Sequence, residues 1–147
     1  MNKLQKRCSV LLFGAGLALA AMATNLSAVE LVVITHADSP LTSVEPHQLK
    51  NLYLDKTRII GGEVMLPVDQ TVGRAVRESF YSKIIGENET YIEQYWAKVK
   101  FSGKGTQPKS YEDDQAVIER VKKDKRLIGY VEKTSLTDGV KVLLSVP

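Results

Sequence analysis

Residues Tyr95–Pro108 read YWAKVKFSGKGTQP, and after an acidic-to-basic segment the chain continues as LIGYV at Leu127–Val131. Tyr91, Ile92, Tyr95, Trp96 and Val99 form one stripe at helical spacing and leave Glu93, Gln94, Lys98 and Lys100 to water, which predicts a helix over about Glu89–Lys100. Gly103 and Gly105 end it, and Pro108 prevents its continuation. Ser110 and Asp113 then stand at capping-box spacing. Asp113 and Asp114 fall in the first turn of the next helix and Lys122 and Lys123 in its last, so both signs complement the helix dipole. Val117, Ile118 and Val121 face inward, and Leu127–Val131 follows as a buried strand. Helix, turn, helix and buried strand in that order point to α/β architecture.

Upstream, Glu30–Thr35 (ELVVIT) is apolar without alternation and rich in β-branched residues, the pattern of a strand covered on both faces. Pro46 opens a short helix whose Leu49, Leu52 and Tyr53 share one face. Gly61 and Gly62 turn the chain into a strand over Val64–Val68. The stretch PVDQTVGRAVRESFY at Pro67–Tyr81 closes that strand and enters a helix. Val72, Val76, Phe80 and Ile84 recur every four residues, with Ala75 on the same side, so this helix is expected from about Thr71 to Ile85 with its stop at Gly86. A last strand, Val140–Leu144, follows the Asp138-Gly139 turn.

Lys3, Lys6 and Arg7 precede an unbroken apolar run, Val10–Met22, and the small residues Ala21, Ala23, Ser27 and Ala28 come next. This is the build of a secretory signal, with cleavage expected after Ala28 and an alternative after Ala23. The run falls short of the roughly 20 apolar residues that span a bilayer. Cys8 precedes it, where a lipoprotein cysteine would have to follow, so a lipid anchor is not expected. Residues 1–28 read as the signal and 29–147 as one domain of 147 − 28 = 119 residues, a length for one lobe and not two. The signal holds three of the 20 Lys and Arg and none of the 17 Asp and Glu, so the remainder balances at 17 − 17 = 0. A neutral chain argues against a general electrostatic grip on nucleic acid. The chain has one cysteine, Cys8, so the exported part has neither a disulfide frame nor a thiol nucleophile.

The strand-to-helix junction from Asp69 to Arg74 is the candidate site. A helix starting at Thr71 leaves its first N–H groups unpaired, and these with the dipole attract an anion. The backbone of Thr71, Val72, Gly73 and Arg74, the Thr71 hydroxyl and the guanidinium of Arg74 or Arg77 would make a small oxyanion site, with Gly73 allowing close approach. Thr71 also reads simply as an N-cap and the arginines as solvated helix residues. Lys104 in the Ser102–Thr106 loop is placed to face the anion from outside, and Ser39 beyond the first strand to line a cleft. That loop lacks the spacing of a nucleotide-binding phosphate loop. His36 and His47, with Asp38 and Glu45 between them, match no standard zinc spacing, and no GxSxG elbow is present. No cofactor, metal or catalytic apparatus is expected.

The order of these segments resembles the phosphate-binding proteins of ABC importers, within the periplasmic substrate-binding superfamily. The similarity is closer to short, one-lobed exported members. It rests on the PVD of Pro67–Asp69, on Arg77, Phe80 and Tyr81, on Tyr95 and Trp96, on Phe101, Gly103, Lys104 and Gly105, and on Ile128, Gly129 and Tyr130. The resemblance implies a single α/β lobe of the type 2 periplasmic binding protein-like fold, with a mostly parallel sheet flanked by helices. In that family an arginine and a serine-glycine-threonine turn hold the ligand. Of that turn this sequence keeps Gly73, with Val72 at the serine place and Arg74 at the threonine place.

What the resemblance implies functionally is a periplasmic, non-enzymatic solute-binding module for phosphate or another small oxyanion, serving a membrane permease or sensor. The alternative is an interaction module that binds no solute and docks on a membrane sensor or envelope complex, or on a second copy of itself. A polar, arginine-lined pocket favours the first; exposed apolar surface favours the second.

Overall fold

The structure, a computed structural model, describes residues 28–147, and the segment read as an export signal lies outside the described residues up to Ser27. Among the described residues no helix is long and apolar enough to cross a membrane.

Five strands form the central sheet: β1 (Leu31–His36), β4 (Leu66–Gln70), β5 (Lys109–Tyr111), β6 (Leu127–Glu132) and β7 (Val140–Val146). Their spatial order is β5-β4-β6-β1-β7. β4 is parallel to both β5 and β6, while β1 pairs antiparallel with both β6 and β7. Four strands therefore run the same way, and β1 alone opposes them. The non-alternating pattern of β1 has the expected cause: Leu31 and Val33 enter one hydrophobic cluster while Val32 and Ile34 enter the other, on the opposite face.

The larger cluster is covered by α1 (Pro46–Tyr53), α2 (Ala75–Phe80) and α3 (Glu89–Ser102), the smaller by α4 (Asp114–Val121). Leu49, Leu52 and Tyr53 are the buried residues of α1, as the spacing predicts. Gly129 marks the tightest approach of α4 to the sheet, because a Cβ there would stand 2.8 Å from both Val117 and Val68. The Asn88 side chain caps α3 by accepting the Tyr91 N–H at 2.8 Å, and Gly103 closes it in the left-handed region.

Four local expectations change. The helix expected from Thr71 begins at Ala75, and its second half, Tyr81–Ile85, is a π-helical turn ending at Gly86. The start is delayed because Gly73 has φ +87° and the Thr71 N–H donates to the Tyr111 carbonyl instead of opening a helix. Gly61 and Gly62 form the tip of a separate ribbon, β2 (Ile59–Ile60) with β3 (Glu63–Val64), so β4 starts later than expected. Ser110 lies in β5, and the α4 cap is Asp113, whose carboxylate accepts the Ala116 N–H at 2.8 Å.

Candidate functional site

Asp69 and Gln70 end β4, next to the C-terminal half of β6, so the turn Thr71–Arg74 sits at the carboxyl edge of the sheet. In open α/β sheets this is where ligands usually bind. The side chains beneath the turn form a closed polar network. Arg77, Phe80 and Tyr81 stand at i, i+3 and i+4 and share one helix face. Asp69 accepts hydrogen bonds from the Gln70 N–H at 2.8 Å, the Tyr81 hydroxyl at 2.8 Å and the Tyr130 hydroxyl, and it pairs with Arg77 at 3.5 Å. The other edge of the Arg77 guanidinium meets Glu89, and Glu93 at 3.2 Å. Phe80 stacks flat on Tyr130 at 3.9 Å, and Arg77 lies over the Tyr81 ring at 4.8 Å.

Burial pushes the Asp69 carboxyl up, opposed by Arg77 and then by the two tyrosine hydroxyls and the Gln70 amide. For Arg77, burial works against the cation, but Asp69 leads the opposing contributions, followed by Tyr81 and Glu89, and the guanidinium is held firmly protonated. Burial, and then the Asp69 charge, raise Tyr53, Tyr81 and Tyr130 well above the ordinary 10.0. A raised folded-state value means that these phenols contribute stability fully below pH 10.0, and that this stability is lost as pH rises further. In an alkaline titration their ultraviolet ionisation signal is therefore expected only together with loss of the far-ultraviolet dichroism. Complete tyrosine ionisation in an intact fold would contradict the burial of the network.

A second polar layer lies above the first. The Gln70 amide donates to Asp114 at 2.7 Å and to the Tyr130 carbonyl at 2.9 Å, and its own carbonyl oxygen is buried without a partner among the described residues. Asp114 also accepts from the Glu132 N–H and the Ser135 hydroxyl, and it faces Arg74 at 3.8 Å. The acidic pair expected to serve capping and the dipole is thus divided: Asp113 caps α4 and Asp114 is a buried acceptor.

The residues singled out from sequence do not all meet. The Thr71 hydroxyl and N–H both donate to Tyr111, the Gly73 N–H donates to the Glu89 carboxylate at 3.3 Å, and the Arg74 N–H bonds back to Thr71. Val72 is exposed and Arg74 partly so. Arg77 is fully buried beneath them and is not a solvated helix residue. Ser39 lies beyond the His36 end of β1, which the antiparallel register places at the opposite sheet edge, where its carbonyl accepts from Lys141. Lys104 is exposed in the loop held to Asp55 through the Thr106 N–H, beside the Leu66–Pro67 end of β4. Both stand away from the turn. His36 Nδ1 accepts the Asp38 N–H.

Asp69 and Gln70 fall inside the expected junction but not among its expected ligand groups, and Tyr81, Glu89, Glu93, Asp114 and Tyr130 join the site only in the fold. The usable signal lay in the PVD, Arg-x-x-Phe-Tyr and Ile-Gly-Tyr segments, whose polar members converge on Asp69.

Several solved structures share this architecture. One is described as a phosphate ABC transporter substrate-binding protein from Clostridium perfringens with bound phosphate: TM-score 0.61, 19% identity, 77% of this chain and 43% of that one. Others are an ABC-type phosphate transport receptor from Vibrio cholerae (0.60, 15%, 77% and 44%) and PstS from Borrelia burgdorferi (0.57, 16%, 77% and 46%). The fold is that of the phosphate-type periplasmic binding proteins. The chain matches less than half the length of each of these relatives, and at this identity the likeness speaks for the fold. No family model and no curated protein matches the sequence.

Proposed function

We propose that the chain is a non-enzymatic, exported solute-binding module that takes phosphate or a related small oxyanion at the carboxyl-edge turn and serves a membrane permease or sensor. The observation that carries this reading is the grip on Glu89. The Gly73 N–H and the Arg77 guanidinium together hold an oxyanion already, and it is an internal carboxylate. Arg74, partly exposed and only 3.8 Å from Asp114, is the cation beside the turn that remains free to turn toward a solute. The fold and the carboxyl-edge position agree with this reading, as does the phosphate found with the Clostridium perfringens protein. The donors are thus Arg74 and the N–H groups of Val72 and Gly73, the latter shared with Glu89, while the Thr71 N–H and hydroxyl stay committed to Tyr111 and Arg77 anchors Glu89 below.

Glu89 competes with any solute for the same donors, and much of the ligand would remain in water, so micromolar to millimolar affinity is expected. Titration calorimetry of residues 29–147 with phosphate, sulfate and acetate tests this. Arg74→Gln is expected to weaken binding more than tenfold, about 1.4 kcal/mol. Glu89→Gln is expected to tighten it by removing the competing charge. Absence of heat from the unaltered chain at roughly 10 mM of each anion, the weak end of useful affinity, would end the solute-binding reading.

A further inference from the structure

The opposite end of the domain carries exposed apolar side chains that the oxyanion reading does not use. Phe101, in the last turn of α3, is 97% exposed; Ile59 and Val64, paired across the β2–β3 ribbon, are 60% and 52% exposed. Asp55 ties the two elements together. One carboxylate oxygen pairs with Arg58 Nε at 3.0 Å at the ribbon stem, and the other accepts the Thr106 N–H at 2.8 Å in the loop after α3. Between them runs a shallow groove of about 190 Å³ bordered by Arg58, Pro108 and Lys109.

Positive charge is concentrated around Phe101, while the ribbon itself carries one exposed acid, Glu63. From Gln94 to Tyr111 the sequence has no Asp or Glu and four lysines, Lys98, Lys100, Lys104 and Lys109. Lys56 precedes the ribbon. None of these five is in an ion pair among the described residues, although residues 29–147 balance overall. Lysines on either side of a projecting phenylalanine are the chemistry of an interfacial anchor: the ring enters the acyl boundary while the lysine stems reach back to anionic headgroups.

We propose that this end docks on an anionic phospholipid surface, with Phe101 as the inserted side chain and the ribbon tip as a second contact. A membrane fits better than a protein cleft because the apolar groups sit on projecting elements, a helix end and a two-residue-stranded ribbon, with unpaired cations beside them. The oxyanion reading is not needed for this proposal.

Residues 29–147 carry the whole described core and suit cosedimentation with vesicles of phosphatidylglycerol and phosphatidylethanolamine, with phosphatidylcholine alone as control. Binding is expected to the anionic vesicles only, and to fall steeply as salt is raised. Phe101→Ser and the triple change Lys98→Gln, Lys100→Gln, Lys104→Gln are each expected to lower it by about tenfold or more. A Phe101→Trp variant is expected to shift its emission to the blue on binding. Equal recovery on both vesicle types, or Phe101→Ser binding as well as the unaltered chain, would overturn the proposal. A Phe101→Trp emission that moves with an acidic protein and not with vesicles would also overturn it, in favour of protein docking.

Discussion

Arg77→Ala is expected to destabilise the domain by about 3–5 kcal/mol, the usual cost of stranding a buried charge. The guanidinium is 0% exposed and serves three carboxylates, Asp69, Glu89 and Glu93. Its removal leaves Asp69 inside the core with only hydroxyl and amide donors, and it frees Glu89 and the entry to α3. Urea unfolding followed by circular dichroism gives the number. Combining Arg77→Met with Asp69→Asn should cost less than the two single changes added together, because each already strands the other's partner. A loss below about 1 kcal/mol for Arg77→Ala would mean a solvated arginine, since surface ion pairs contribute no more than that.

Trp96→Ala is expected to cost a similar amount, about 3–5 kcal/mol, for a different reason: it empties a large core site. Trp96 is 1% exposed in the larger cluster, with the Tyr95 ring edge-on at 5.1 Å. Among the described residues its indole N–H has no partner, so there the ring contributes packing and no hydrogen bond. Trp96→Phe should therefore cost much less than Trp96→Ala, since it removes an unpaired donor along with some volume. If both changes cost the same, the indole N–H would have to be bonded in solution. Tyr95 offers a contrast, because its hydroxyl reaches the Leu54 carbonyl at 2.7 Å and so ties α3 to the end of α1.

The elements that were legible in the sequence are those whose signal is local. The apolar run of β1, the single face of α1, the caps and stripe of α3 and the strand around Ile128–Gly129–Tyr130 each follow from periodicity, glycine or proline. What was not legible depends on a distant partner. β5 is three residues of KSY with no pattern of its own, and it exists because β4 offers an edge to pair with. The start of α2 is set by the Tyr111 carbonyl forty residues away. The candidate site divides along the same line. A helix entry with Gly73 and Arg74 can be read from spacing. The burial of Arg77 cannot, because Glu89 and Glu93 arrive from another helix and a buried cation is stable only once they do. Ser39 follows a strand and Lys104 stands in a glycine loop, and only strand direction decides at which edge such residues fall.

The measurement that bears most directly on the proposed oxyanion turn is an amide chemical-shift titration of residues 29–147 with phosphate. Saturable shifts centred on the Thr71–Val76 amides, with smaller shifts at Glu89 and Asp114 as their cations move, are the predicted result. No shift by about 10 mM phosphate, a concentration at the weak end of useful affinity, would contradict it. So would shifts centred on the lysines from Lys98 to Lys109 with the turn unmoved.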